Sequence, residues 1–144
     1  MCRITWTDED IYRIAERGHS LHLQGRYREA AVIFQGLVAA VPENHYCREA
    51  LAAAWLALEE PERAIEQFNI LLARQPGDLV VHARRLEAYL TAGNFPAAIR
   101  DFEFLEHLLP PQQVRRLALS LESTASRQSF RKDPTKSLKE GDSD

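Results

Sequence analysis

Residues 25–42 read GRYREAAVIFQGLVAAVP. In this stretch Ala30 is followed four places later by Phe34, then by Leu37, and Pro42 closes the run. Residues four apart lie on the same face of a helix, so Ala30 and Phe34 would face one neighbour. Proline lacks an N–H and clashes with the preceding turn, so it ends the helix. The stretch predicts a helix that stops just before residue 42.

The same four positions recur twice further along the chain, and the step from one occurrence to the next is constant. A period of about 34 residues is typical of stacked helix pairs, because one pair cannot bury both of its faces and must share a core with its neighbours. The units cover residues 11–44, 45–78 and 79–112, and the predicted fold is all-α. The repeated columns are Ala30, Ala64 and Ala98; Phe34, Phe68 and Phe102; Leu37, Leu71 and Leu105; and Pro42, Pro76 and Pro110.

This period, with an alanine, a phenylalanine four residues later and a closing proline, resembles the tetratricopeptide repeat. The small slot of the first helix holds Gly18 in unit one and Ala52 in unit two. Leu86 stands there in unit three, so we expect its two helices to pack less closely. The resemblance implies a right-handed superhelical solenoid of three helix pairs, in which the first helix of each unit lines the concave side.

The repeat pattern places six helices, and the sequence after them predicts one more. Apolar residues Val114, Leu117, Leu119 and Leu121 suit a seventh helix over 111–126 that caps the open end of the stack. The repeat domain would then span residues 1–126. Residues 127–144 are polar and poor in large apolar groups, which predicts a disordered tail. The six repeat helices are predicted near residues 8–24, 27–40, 45–58, 61–73, 79–92 and 95–108.

Composition excludes several classes of function. The chain has 144 residues, 45% of them hydrophobic, and a net charge of -3, which fits one soluble globular domain without a basic field for nucleic acid. The arginine pairs Arg84-Arg85 and Arg115-Arg116 are scattered among acidic residues. No window approaches the ~18 apolar residues of a membrane span, so we expect no membrane insertion. The first ten residues lack an apolar signal core, so we expect a cytoplasmic protein.

The motifs of catalysis and cofactor binding are missing from the sequence. It contains no phosphate-binding loop, dinucleotide fingerprint, HExxH or GxSxG. His19 and His22 could share a helix face, but a metal site needs more ligands nearby. Cys47 is interpreted as a small packing residue. We therefore predict no enzyme activity, no catalytic residue, no metal and no cofactor.

The resemblance to the tetratricopeptide repeat also implies which residues face the concave groove. Four positions of each first helix commonly contact a bound peptide in this family. The alternative is that some of them, above all the alanines, pack between helices. The predicted groove residues are Tyr12, Ala15, His19 and His22 in unit one; Tyr46, Glu49, Ala53 and Leu56 in unit two; and Val80, Ala83, Glu87 and Leu90 in unit three.

Some members of the family are co-chaperones that grip a terminal carboxylate with a clamp of Lys, Asn and Arg. The clamp positions fall here on Ala15, His19, Ala50, Val80 and Arg84, and only Arg84 keeps the clamp chemistry. A grip on a terminal carboxylate is therefore disfavoured. A groove that is apolar and aromatic, with two Glu and two His, suits an extended protein segment with spaced hydrophobic side chains.

Residues 11–42, IYRIAERGHSLHLQGRYREAAVIFQGLVAAVP, are also similar to the class II chaperones of type III secretion, and the likeness extends to about residue 108. That resemblance implies a chaperone of the bacterial cytoplasm that sequesters a hydrophobic translocator before export. The alternative is a general tetratricopeptide-repeat adaptor or assembly factor in a multiprotein complex. The sequence leaves the oligomeric state open, with a homodimer as one option.

Overall fold

The computed structural model describes residues 5–132 of the chain, and the side chains of residues 5–127. All regular structure in this range is helical, which confirms the predicted fold class. The six repeat helices begin and end within two residues of their predicted bounds. The helices are α1 (Asp8–Leu23), α2 (Tyr27–Ala40), α3 (His45–Ala57), α4 (Pro61–Arg74), α5 (Leu79–Ala92), α6 (Phe95–Glu106) and α7 (Pro111–Lys132).

Each helix packs against the next along the chain, and the repeated columns form the contacts. Ala30, Ala64 and Ala98 are fully buried, which lets the two helices of each pair approach closely. The rings of Phe34 and Phe68 fill the seam beside them, whereas their equivalent in the third repeat is only partly buried. The period in the sequence therefore corresponds to buried contacts that recur from one helix pair to the next.

The core has two parts. The larger one joins the first two repeats to α5, through Val81 and Ala88, and includes Cys47, whose thiol is completely buried. Burial raises the pKa of this thiol, which keeps it protonated and unreactive. The smaller part joins α5, α6 and α7 around Leu86 and Leu105, both completely buried. Cys47 thus serves as a packing residue.

Turn chemistry explains where the first helix of each repeat ends. Gly25 and Gly93 follow α1 and α5 with φ angles of 77° and 78°, a left-handed conformation that glycine adopts without steric cost. Glu59 occupies the equivalent position after α3 and has a φ angle of 59°. The middle repeat therefore makes the same turn with a residue that has to bear the strain of that conformation.

Gly18 is the point of closest approach within the first helix pair. A Cβ atom built on Gly18 would lie 2.8 Å from Cζ of Phe34 and 3.1 Å from Cγ2 of Ile33. The Phe34 ring is 1% exposed within the core, so a Cβ atom at position 18 would have to displace a packed ring. The glycine is therefore required by packing, although it weakens the helix by itself.

Gly18→Ala should lower the free energy of unfolding by about 1–3 kcal/mol, because overpacking outweighs the gain in helix propensity. Gly36→Ala on α2 is the matched control, since a Cβ atom there meets nothing within 4 Å. That control should raise the free energy of unfolding by about 0.5–1 kcal/mol. Urea denaturation of both variants measures the difference, and equal midpoints would contradict the close approach.

The seventh helix packs on α6, but it differs from the prediction in two ways. Leu117 and Leu121 face the smaller core, whereas Leu119 is 60% exposed. Leu119 comes two residues after Leu117, and in a helix of about 3.6 residues per turn this places it about 200° around the helix axis from Leu117. The helix also continues from the predicted end at 126 to Lys132. Residues 133–144 of the predicted tail lie outside the described residues.

A buried ion pair connects the two helices of the third repeat. Arg85 on α5 donates from Nε to Oδ2 of Asp101 at 2.9 Å and from Nη2 to Oδ1 at 2.6 Å. The hydrogen bond to Asp101 raises the pKa of Arg85. His82 lies 3.2 Å from the same carboxylate and 2.8 Å from the carbonyl oxygen of Pro76. One carboxylate thus joins two cationic or polar side chains of α5 to α6.

None of the helices within residues 5–132 combines the length and the apolar character that a membrane-crossing segment requires.

Candidate functional site

Two cavities lie along the first helices of the first two repeats, with Arg84 of the third repeat beside them, and we call them together the first-helix groove. Its larger part is a cavity of about 590 Å³ between α1 and α3, here named the α1–α3 cavity. The walls are mostly apolar and aromatic, and polar side chains stand at the rim. The lining residues are Asp8, Ile11, Tyr12, Ala15, Glu16, His19, Asn44, Tyr46 and Cys47.

A second cavity of about 280 Å³, the central cavity, adjoins the first. His19 and Tyr46 line both cavities, so the two cavities share these side chains. Residues of α1, α2, α3 and α5 surround the central cavity, which therefore exists only when all three repeats are stacked. The lining residues are His19, His22, Phe34, Tyr46, Glu49, Ala50, Ala53 and Arg84.

The charges in the central cavity are matched within the chain. Nε of Arg84 lies 3.1 Å from Oε1 of Glu49, across the boundary between the second and third repeats. Nε2 of His45 lies 3.7 Å from Oε2 of the same Glu49 carboxylate, and it lies 3.3 Å from Oδ2 of Asp78. Arg84 is the one residue at the five clamp positions that keeps the clamp chemistry, and it is already paired with Glu49. An incoming carboxylate would have to compete with Glu49 for it.

The pKa of the His22 imidazole is lower than usual, which favours its uncharged form. Its partial burial lowers its pKa, and the neighbouring His19 lowers it further. The ring makes an edge-on contact with Tyr27, with 5.0 Å between the ring centroids. Within the described residues no three His, Cys, Asp or Glu side chains come together as metal ligands would. A neutral His22 offers a hydrogen bond to a polar group, for example the backbone of a bound peptide.

Seven of the twelve predicted groove residues line these two cavities, and five do not. The seven are Tyr12, Ala15, His19, His22, Tyr46, Glu49 and Ala53. Val80 and Glu87 are exposed on α5 but line neither cavity. Ala83 packs against the smaller core.

Leu56 and Leu90 line neither cavity, and both pack against the core. Leu56 is partly buried against the larger core, and Leu90 is 5% exposed within the smaller core. Leu90 follows Leu86 by one helical turn, so both side chains share the face of α5 that the smaller core covers. The alternative weighed for the alanines, packing between helices, thus applies to these leucines.

The sequence prediction missed Phe34 and Ile11 as parts of the groove. Phe34 belongs to the core column, but the absent side chain of Gly18 lets its ring reach the central cavity. Ile11 precedes Tyr12, which occupies in the first repeat the position that Tyr46 occupies in the second. That repeated tyrosine was a usable signal for the aromatic walls.

The repeats match a known protein family. Residues 21–86 match the family model of the tetratricopeptide repeat. No curated protein matches the chain significantly.

Solved structures share the fold. PcrH from Pseudomonas aeruginosa is 17% identical, with 84% of this chain and 96% of that chain covered and a TM-score of 0.72. A second structure is the type III secretion chaperone SycD of Yersinia enterocolitica in complex with a peptide of the translocator YopD. It is 15% identical, covers 85% of this chain and 97% of its own, and has a TM-score of 0.72. The first such domain of Spaghetti (RPAP3), bound to the HSP90 peptide SRMEEVD, is 22% identical, with 83% and 99% covered and a TM-score of 0.68.

These likenesses concern the fold, since all three identities are low. They agree with the repeat period, the buried alanine and phenylalanine columns and the matched family model. The prediction of tetratricopeptide repeats is confirmed: residues 21–86 match the family model, and the three helix pairs stack as they do in PcrH and in the type III secretion chaperone SycD.

Proposed function

We propose that this chain is a non-enzymatic protein-interaction module that holds an extended, partly apolar segment of another protein in its first-helix groove. The observation that carries the proposal is the pair of adjoining cavities that share His19 and Tyr46 in their walls. An extended segment can place one apolar side chain in each cavity while its backbone passes His19 and Tyr46. Cavities that exist before binding reduce the ordering cost of association.

The groove presents the kind of side chains that contribute most to binding. Tyr12 is 68% exposed and Tyr46 is 52% exposed, although both are large and largely apolar. Tyrosine is enriched among the residues whose truncation costs the most affinity in interfaces. Glu49 and Arg84 neutralise each other, so apolar contacts rather than net charge would supply most of the affinity.

Within this proposal, the finer function is that of a cytoplasmic chaperone for a bacterial type III translocator. The support is the shared fold with SycD, which binds a peptide of the translocator YopD. The second candidate is an adaptor that binds a peptide such as SRMEEVD of HSP90, as Spaghetti does. Against it stands the pairing of Arg84 with Glu49 and the lack of Lys or Arg at the other four clamp positions.

Binding of two labelled peptides, followed by fluorescence anisotropy, tests the proposal. One is the YopD peptide and the other is SRMEEVD. The groove variant is Tyr12→Ser/Tyr46→Ser, which leaves the core leucines intact. We expect it to bind the YopD peptide at least about 30-fold more weakly than wild type, the effect of losing two central aromatics. Leu23→Ser is the control, because Leu23 is 73% exposed and lines neither cavity.

The outcomes separate the candidates. Equal affinity of the groove variant and wild type would place the binding surface elsewhere. Tighter binding of SRMEEVD than of the YopD peptide would favour the adaptor. If neither peptide binds, the translocator chaperone is contradicted, and affinity capture with wild type and the groove variant decides whether the groove binds another protein.

A further inference from the structure

The second repeat contains a buried arginine that has no counter-ion. Arg48 on α3 is 7% exposed. It donates from Nη1 to Oε1 of Gln67 at 2.8 Å and from Nη2 to the carbonyl oxygen of Pro42 at 3.3 Å, and its Nε has no hydrogen-bond partner. No Asp or Glu oxygen within the described part of the chain lies within 4.0 Å of its guanidinium. Burial of a charge without a paired charge is unfavourable.

The third repeat has a carboxylate at the position where the second repeat has an uncharged amide. His82 and Asp101 occupy in the third repeat the positions that Arg48 and Gln67 occupy in the second, and the two side chains contact each other in the same way. The carboxylate of Asp101 compensates the charge of Arg85 there. In the second repeat the neutral amide of Gln67 replaces that carboxylate. The cation is present, but the chain does not supply the anion.

The surroundings of Arg48 add positive charge. Arg74 donates to the same carbonyl oxygen of Pro42 at 2.9 Å. Burial lowers the pKa of Arg48, and the neighbouring Arg74 lowers it further, while Glu43 acts in the opposite direction. The site therefore favours an additional anion close to Arg48.

A cavity of about 460 Å³ opens beside Arg48 between α2 and α4, and we call it the α2–α4 cavity. The guanidinium of Arg63 lies over the ring of Trp55 at 4.6 Å, so two arginines border this space. Arg63 has Glu60 at 3.2 Å, and Glu66 also lines the cavity. The other lining residues, apart from Arg48 and Gln67, are Gln35, Val38, Ala39 and Leu51.

We propose that the α2–α4 cavity is a second binding site, which takes a glutamate or aspartate side chain from an acidic segment of a protein partner into the space that Arg48 and Arg63 border. The apolar side chains in its otherwise polar lining, Val38 and Trp55 among them, offer contact to the aliphatic part of such a side chain, which a bare inorganic anion lacks. Arg48 follows Cys47 and precedes Glu49 on α3, so this site and the first-helix groove use different faces of one helix.

The test uses the full chain and a fluorescein-labelled hexapeptide of glutamate, with the glutamine hexapeptide as the neutral probe. We expect the glutamate peptide to bind and the glutamine peptide to fail. Gln67→Glu supplies the missing carboxylate from within the chain, so it should weaken binding of the glutamate peptide by at least about tenfold. Gln113→Glu on α7 is the control, because it changes the net charge by the same amount away from the cavity. It should bind the glutamate peptide as tightly as wild type does.

Arg63→Gln gives an independent variant, because its exposed side chain can be changed without disturbing the core. It should weaken binding of the glutamate peptide, whereas Arg115→Gln on α7 should not. Equal binding by Gln67→Glu and wild type, or by the two hexapeptides, would overturn the proposal. Displacement of the glutamate peptide by an equimolar amount of inorganic phosphate would overturn the assignment to a protein side chain.

Discussion

Phe68→Ala should lower the free energy of unfolding by about 3–5 kcal/mol, the usual cost of removing a large aromatic side chain from a core. The Phe68 ring is completely buried in the larger core and belongs to the middle repeat. Because each repeat is stabilised by its neighbours, a cavity in the middle weakens both of its interfaces. Domains of this size are stable by only about 5–15 kcal/mol, so the variant should be marginally folded at about 25 °C.

Guanidinium denaturation followed by far-UV circular dichroism measures this effect. Leu23→Ala is the control, since Leu23 is 73% exposed and its truncation should change stability by no more than about 0.5 kcal/mol. A loss below about 1 kcal/mol for Phe68→Ala would show that the phenylalanine column does not hold the repeats together.

The second large effect is expected at the buried ion pair of the third repeat. Asp101→Asn should cost about 3–5 kcal/mol, because it leaves the charge of Arg85 in a largely buried position without its carboxylate. The side chain of Asp101 is 4% exposed and that of Arg85 is 21% exposed, so water screens the charge poorly. The substitution conserves shape, so its cost reports on charge rather than on packing.

A double-mutant cycle with Arg85→Met isolates this contribution. The double variant should be more stable than Asp101→Asn alone, since removing both charges leaves no unpaired ion. Glu9→Gln is the control, because it breaks an exposed pair with Arg13 that should contribute at most about 1 kcal/mol. Additive costs of Asp101→Asn and Arg85→Met would contradict the coupling between them.

The helices followed from the sequence almost completely, because their signals are local. Each column joins residues three or four places apart on one helix face, and each proline ends its helix by its own geometry. The least accurate prediction concerned α7, because this helix lies outside the 34-residue repeat. Without equivalents to align it, Leu119 was assigned to the buried face, and the end of the helix was placed at 126 rather than Lys132.

The groove could be predicted only in part. Tyr12, His19 and Tyr46 lie at positions where the first helices face the cavities in the structure. Leu90 fills the smaller core instead, because the presence of α6 and α7 on that side of α5 decides which face is covered. Such a choice depends on the neighbouring elements and not on the spacing within one helix.

The sequence by itself determined the all-α repeat fold and the residues of its core columns, since the repeat period and the helical faces are properties of the chain order. Only the tertiary structure decided which charged side chains pair with each other. Glu49 and Arg84 meet across two repeats, and Arg48 is buried with Gln67 rather than a carboxylate. The physical reason is that these contacts depend on the angles at which successive helices pack, and no local pattern in the sequence specifies those angles.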